Sequence, residues 1–427
     1  MKSELTRQIT TFDNGLTLVV VPMEKVHRVV IDAHLRVGPR YESAENNGVS
    51  HFLEHMLYRG TPRHPSSHEQ ALAFESLGGT LVAATYVDHG TMAIAVPPES
   101  LSRALPLFCE VFRSPVFDGM DIEKGIVREE ILEGLDESGT DVDPDNLVRQ
   151  LAFGEHPLGY PITGSIEHVE RMTEPLLHEH HGAHYVGDNT VLTVAGPVNA
   201  ADVEAQVRAG LGPIARGGQP RSPAVPEQTE ARFRHVRHQG SQTAVRVAFR
   251  APGDHDPGEP ATEMLLRVLD DGMSTRLYHR ICDSRGLCYD VSAAYEAYAE
   301  GGLFDIAAES EHERAPEVLD EVFGLMKDLA AQGPTAEELD KAKTRYAWQL
   351  QELLDDPAEA AEFFGFGMLT GVARTPAERL AELSDVSTED VRRAAEHMVR
   401  RASLSVVTVG LLSKKLQARV ERAVSSF

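Results

Sequence analysis

His51-Phe52-Leu53-Glu54-His55 sets two imidazoles four residues apart with a carboxylate between them. On a helix advancing about 100° per residue, His51, Glu54 and His55 fall within about one third of the circumference, while Val49, Phe52, Leu53 and Met56 form the opposite, apolar face. One face can hold a metal ion while the other fixes the helix in a core. Asn46-Asn47-Gly48 ahead of the stretch and Gly60 behind it supply start and stop signals for a short helix. With 19 His and 66 acidic residues in 427, the same letters also arise on surface helices that bind nothing, so the reading needs support elsewhere in the chain.

The order His-x-x-Glu-His inverts the commoner zinc arrangement and is a signature of inverzincin metallopeptidases. A catalytic zinc needs a third protein ligand and an open position for water. Downstream, Glu123-Lys124-Gly125-Ile126-Val127-Arg128-Glu129-Glu130-Ile131 sets Glu123 and Glu130 two turns apart on one helix face. Glu130 would be the ligand and Glu123 an acceptor that orients a ligand imidazole. Periodicity by itself does not choose Glu130 over Glu129, and an acidic run is also what a solvated helix face looks like.

Further blocks decide between these readings. Gly38-Pro39-Arg40-Tyr41-Glu42, Gly48 to Met56 and Arg59-Gly60-Thr61 form the first. Ala152-Phe153, His156-Pro157-Leu158-Gly159, Pro161-Ile162 and Gly164-Ser165 follow, then Tyr185, Asn189 and Val194-Ala195-Gly196, and finally Ser274 to Tyr278 with Arg285 to Tyr289. In wording and order these resemble the pitrilysin family of zinc metallopeptidases, which includes insulin-degrading enzyme and mitochondrial processing peptidase. The resemblance puts Glu130 at the family's distal ligand position and Glu123 at that of its supporting glutamate.

The resemblance implies an α+β fold of two tandem homologous α/β-sandwich domains, each a mixed sheet covered by helices. An internal repeat supports it without family knowledge. Arg103-Ala104 followed by Glu110-Val111-Phe112 recurs as Arg314-Ala315 followed by Glu321-Val322-Phe323, an offset of 211. An alternating strand precedes each copy. In the first, Ile31, Ala33, Leu35 and Val37 alternate with Asp32, His34 and Arg36; in the second, Val245, Val247 and Phe249 alternate with Arg246 and Arg250. Gly210 to Gln228, rich in Gly and Pro, reads as an extended linker. We therefore expect a zinc-binding domain over residues 1–221 and a second copy without the zinc motif over 222–427.

Length and 42% apolar content fit two soluble domains that each bury a core. Leu16 to Val21 after Met1-Lys2-Ser3-Glu4 is too short and wrongly flanked for a signal peptide or membrane span, so a cytoplasmic protein is expected. A net charge of −25 argues against a nucleic-acid-binding surface and favours basic or neutral peptides through steering. Cys109, Cys282 and Cys288 have no zinc or redox spacing and read as structural or incidental thiols. His178-Glu179-His180-His181 reads as part of an amphipathic helix rather than as a second metal site.

The expected chemistry is peptide hydrolysis: zinc on His51, His55 and Glu130, with Glu54 as the general base toward water. The resemblance implies that an extended peptide adds to a sheet edge, here Leu81-Val82-Ala83-Ala84-Thr85 after the Gly78-Gly79 turn. Val82-Ala83 stands where many members have an asparagine next to an alanine, and Phe304 and Glu311 stand where some members supply an arginine and a tyrosine to the zinc site. In the family's short-chain branch two such chains enclose one peptide-sized chamber. The missing pair points to a heterodimer with a zinc-free family subunit. The competitor is a homodimer in which the segment from Arg276 to Tyr289 closes the neighbour's cleft. A non-catalytic scaffold subunit is the alternative from another class, although such chains usually lose a metal or base residue.

Overall fold

The computed structural model describes residues 5–427, so the Met1-Lys2-Ser3-Glu4 start lies outside the described residues. Two sheets organise the chain. The first comprises β1 (Gln8–Thr11), β2 (Thr17–Pro22), β3 (Val29–Leu35), β4 (Val82–Thr85), β5 (Gly90–Val96) and β6 (Thr190–Gly196) in the order β1-β2-β6-β3-β5-β4. The second comprises β7 (Arg232–Arg237), β8 (Thr243–Ala251), β9 (Cys288–Tyr298), β10 (Gly301–Ser310) and β11 (Leu404–Gly410) in the order β7-β11-β8-β10-β9. Each has one parallel pair, β2 with β6 and β7 with β11, and antiparallel neighbours elsewhere.

Without β1, the two orders and directions coincide strand for strand. The mixed, helix-covered sheets expected from the sequence are therefore present in two copies. The repeated cluster falls on Leu101–Arg113 in the first and on Ala315–Gln332 with its N-cap Arg314 in the second. Residues 212–231 between the copies carry no helix or strand. No helix among the described residues is long and apolar enough to cross a membrane.

The compact units do not follow the chain in one piece each. One takes the chain through Ile131 with Tyr160–Ser222 and Trp348–Arg379; the other takes Leu132–Gly159, Pro223–Ala347 and Leu380–Phe427. Each sheet thereby receives a helix from the other half of the sequence. In the first unit, helix Pro357–Thr370 lies on β3 and β6. In the second, helix Pro144–Phe153 lies on β8 and β11.

This packing explains what becomes of the polar residues of the alternating strands. All seven residues of β3 are buried, because the face carrying Asp32 and His34 is roofed by Pro357–Thr370. Asp32 and His34 approach to 3.1 Å, and the Arg36 guanidinium donates to the Leu369 carbonyl. On β8, Arg246 bonds Asp145 of the covering helix and Asp305, while the Arg250 guanidinium lies 4.1 Å from the Phe153 ring centre. The alternation marks two faces, but neither strand leaves its polar face to water.

The roof over His34 is close. A Cβ at Gly365 would stand 2.4 Å from His34 Cδ2 and 2.9 Å from Thr193 Oγ1, and both side chains are buried. Gly365→Ala should therefore lose more to overpacking than the ~1 kcal/mol it gains in helix propensity, a net destabilisation of about 1–2 kcal/mol. A lower urea midpoint at unchanged slope is the expected readout.

Candidate active site

The paired histidines lie on helix Val49–Met56, whose Val49, Phe52, Leu53 and Met56 are fully buried. It starts at the Asn46-Asn47-Gly48 signal, but without a side-chain cap from either asparagine. Gly48 is the N-cap at φ 89°, in the left-handed region, where a Cβ would meet the Thr163 carbonyl at 2.6 Å. The orphan amides go to Glu42, whose carboxylate accepts from Gly48 N at 2.8 Å, Ser50 N at 2.9 Å and Asn47 Nδ2 at 2.9 Å. Burial outweighs these donors and pushes the Glu42 carboxyl above its ordinary range. Nothing in local spacing singled out Glu42 for this capping role.

Helix Met120–Glu133 brings Glu130 to the paired histidines. Glu130 Oε1 lies 3.4 Å from His51 Nε2, and Oε2 lies 3.4 Å from His55 Nε2. A tetrahedral zinc with bonds of about 2.0–2.1 Å needs ligand atoms roughly 3.3–3.4 Å apart, and the two imidazole-to-carboxylate separations match that spacing. Among the described residues, His51, His55 and Glu130 are the one group able to hold a metal. Glu130 is 42% exposed at its side chain, which leaves an approach for water and substrate.

Glu123 sits one layer out. Its Oε2 is 3.3 Å from His55 Nδ1, placed to accept a hydrogen bond from that nitrogen. Arg59 Nη1 donates to Glu123 Oε1 at 3.2 Å. His51 Nδ1, by contrast, is buried and finds no hydrogen-bond partner among the described residues. Hydrogen bonds from His51 and His55 hold the Glu130 carboxyl well below the usual range. Burial pulls the His55 pKa down, but Glu130, Glu54 and Glu123 together raise it above its ordinary value.

Two family models match the chain: Insulinase (Peptidase family M16) over residues 19–165 and Peptidase M16 inactive domain over residues 171–346. A protein of Mycobacterium tuberculosis named as an uncharacterized zinc protease is 30% identical over 406 residues, spanning 92% of this chain and 90% of that one. The chain belongs to the M16 peptidase family. A Bacillus subtilis protein, also named as an uncharacterized zinc protease, is 27% identical over 394 residues, 91% of this chain and 94% of its own. In fold, the M16 chain is similar to a protease from Helicobacter pylori, with a TM-score of 0.89 at 21% identity over 96% of this chain and all of that one. A peptidase M16 inactive domain from Pseudomonas fluorescens gives 0.87 at 21% identity, again over 96% of this chain and all of its own. Zinc is the cofactor of this M16 protein.

Within the M16 fold, β4 is the edge strand of the first sheet. Val82 is 58% exposed, Ala83 and Ala84 are half-buried, and Leu81 is buried just ahead of the strand. Tyr86 N donates to His89 O at 2.8 Å, closing the hairpin to β5, and Ala83 N donates to the Tyr58 hydroxyl at 2.6 Å. With alternation along an antiparallel pair, Ala83 and Thr85 therefore turn their backbone groups to the open edge. Glu54 Oε2 accepts from the Thr85 hydroxyl at 2.7 Å.

The second unit holds the remaining expected contacts. Arg276 is committed to Glu338, with bonds of 2.5 and 2.6 Å, whereas Tyr289 is 94% exposed at the start of β9. Phe304 is fully buried in the second core. Cys282 and Cys288 approach to 3.4 Å between sulfurs, which their spacing did not indicate. Burial pushes both thiols up, Cys288 to about 12.

Among the described residues, the histidine-rich helix Glu174–His184 takes part in no metal cluster. His180 Nε2 meets Ser50 Oγ at 3.0 Å, and His181 and His184 donate to the Phe112 and Arg36 carbonyls at 2.9 and 3.0 Å. Burial lowers all three pKa values. Their stabilisation is thus present above about pH 6.5 and lost as pH falls below it, while His55 in the zinc-free chain acts in the opposite sense. The melting temperature of zinc-free protein should drop between about pH 7 and 5, and His180→Gln should flatten that slope.

Loss of Glu123 should free the His55 ring without removing a ligand. Glu123→Ala is expected to weaken zinc binding by about 10–100-fold in chelator competition, with the fold retained by circular dichroism.

Proposed function

We propose that this M16 chain is a zinc-dependent endopeptidase that cuts unfolded peptides or leader segments. The observation that carries this is the convergence of His51, His55 and Glu130 from two helices, with ligand atoms within 4.8 Å of one another and Glu54 on the same motif. Bound zinc supplies a Lewis acid toward the scissile carbonyl and toward water. Glu54 takes a proton from the attacking water and returns it to the leaving amine, so that water and one peptide bond give a carboxylate and an amine. Glu123 and Arg59 hold His55 in the tautomer the metal requires.

Substrate binding is by strand addition along Val82, Ala83 and Ala84, with Leu81 anchoring the strand from below. The open edge of β4 supports this. A peptide pairing opposite Ala83 displaces the Tyr58 hydroxyl, which sits where the peptide carbonyl would bind. The residues up to 221 carry the chemistry, and those from 222 onward form the copy without the zinc motif. A cytoplasmic setting and a dimer-enclosed chamber complete the reading. Phe304 and Glu311 supply no cation or phenol, so the partner of choice is a zinc-free family subunit that does. Exposed Tyr289 favours the homodimer instead, whereas Arg276 is already neutralised by Glu338. A scaffold role is disfavoured by the intact ligand and base set.

The test is zinc content and cleavage of a quenched peptide library by the purified chain beside Glu54→Gln. One zinc in both, with turnover lowered at least about 100-fold in the variant, is the expected result. Equal turnover in the two sinks the assignment of Glu54. Zinc in both and cleavage in neither moves the search to a partner subunit, and absence of zinc from wild type removes the peptidase reading.

A further inference from the structure

The general base is tethered to the strand that offers the open edge. Thr85 Oγ1 donates to Glu54 Oε2 at 2.7 Å, inside the range of a strong hydroxyl-to-carboxylate bond. The same strand meets the chain again just past the helix, where Ala83 N donates to Tyr58 Oη at 2.6 Å. Glu54 lies in the last turn of the helix and Tyr58 two residues beyond its end. The segment from Glu54 to Tyr58 is therefore bonded to β4 at both ends, once through a side chain and once through a backbone amide.

We propose that Thr85 is a positioning residue that fixes the rotamer of Glu54 through this bond; the proposal rests on the reading of Glu54 as general base. A glutamate side chain has three rotatable bonds, and only a fraction of its rotamers aim a carboxylate oxygen at a water beside His51, His55 and Glu130. The Thr85 hydroxyl occupies Oε2 and leaves Oε1 to receive the proton. Thr85 is itself held by the β4–β5 ladder, paired opposite Gly90. It is β-branched and stiff at χ1, so its hydroxyl is a fixed anchor rather than a mobile one. Its backbone faces the open edge, so one residue orients the base and belongs to the row that receives the peptide. Strand addition at Thr85 restrains the base in the same act.

Thr85→Val keeps the shape and removes the donor, and Thr85→Ser keeps the donor. With the zinc-loaded chain, together with its partner subunit if turnover requires one, Thr85→Val should lower kcat about 10–100-fold. KM should change by less than about 2-fold and zinc stoichiometry should hold. Thr85→Ser should stay within about 3-fold of wild type, and Thr85→Val should add no loss in a Glu54→Gln background. A crystal structure of each zinc-loaded protein supplies a readout independent of turnover: one Glu54 conformer bonded to Thr85 in wild type, and a displaced carboxylate in Thr85→Val.

The proposal is overturned if the wild-type structure lacks the bond, if Thr85→Val keeps kcat or the Glu54 conformer, or if Thr85→Ser fails as badly as Thr85→Val. Loss of zinc or of fold in Thr85→Val makes the residue structural and overturns it too. Failure of the underlying reading looks different, since Glu54→Gln would then turn over peptide like wild type.

Discussion

Burial of a two-turn helix is the constraint on which the site depends. Eight residues cannot hold a helix in water, because nucleation costs more than so short a ladder returns. Val49, Phe52, Leu53 and Met56 supply the missing free energy from the core, at about 1.5–3 kcal/mol for each large apolar side chain. Glu42 then closes the N-terminal end by accepting two of its amides. Its raised pKa shows that desolvation costs more than the donors return at that one residue. The gain appears elsewhere, in amides that would otherwise be buried unpaired and in two imidazoles held one turn apart.

Much of this was legible because it is local. The five-residue motif carries its own face, the Glu123 to Glu130 spacing is two turns, and the offset of 211 marks a repeated unit that recurs as a repeated strand order. What stayed hidden is what joins distant segments. Asn46-Asn47-Gly48 marks where the helix starts, but no periodicity links residue 42 to residue 50, so Glu42 as the acceptor of its first amides stayed hidden. Thr85 looks like any β-branched strand residue until the fold lays it against Glu54. Cys282 and Cys288 read as unrelated thiols because the π-helical turn His279–Asp283, which folds the loop back to β9, leaves no signature in spacing.

The exchanged helices were equally hidden, and for a physical reason. Polar residues alternating with apolar ones on β3 and β8 are the pattern of a sheet with one wet face. Here both polar faces are covered by a helix from the other half of the sequence, and two of their arginines find partners on it. Arg36 meets the last turn of Pro357–Thr370, and Arg246 meets Asp145. Such pairing satisfies the charge without changing the local pattern, so alternation reports which residues share a face and not whether that face is covered.

Charge balance at the site gives Arg59 a role that its distance from the metal would not suggest. In the proposed site, a doubly positive ion on two neutral imidazoles would be offset by the carboxylates of Glu130 and Glu54. A further unpaired carboxylate beside it would compete as a ligand or hold the ion too tightly for exchange of water. Glu123, almost wholly buried, would be such a carboxylate without Arg59. Its bond from Arg59 cancels its charge while leaving Oε2 free to accept from His55, so it acts as a hydrogen-bond acceptor and not as a counter-ion. Orientation of the imidazole is thereby separated from the charge of the carboxylate that orients it.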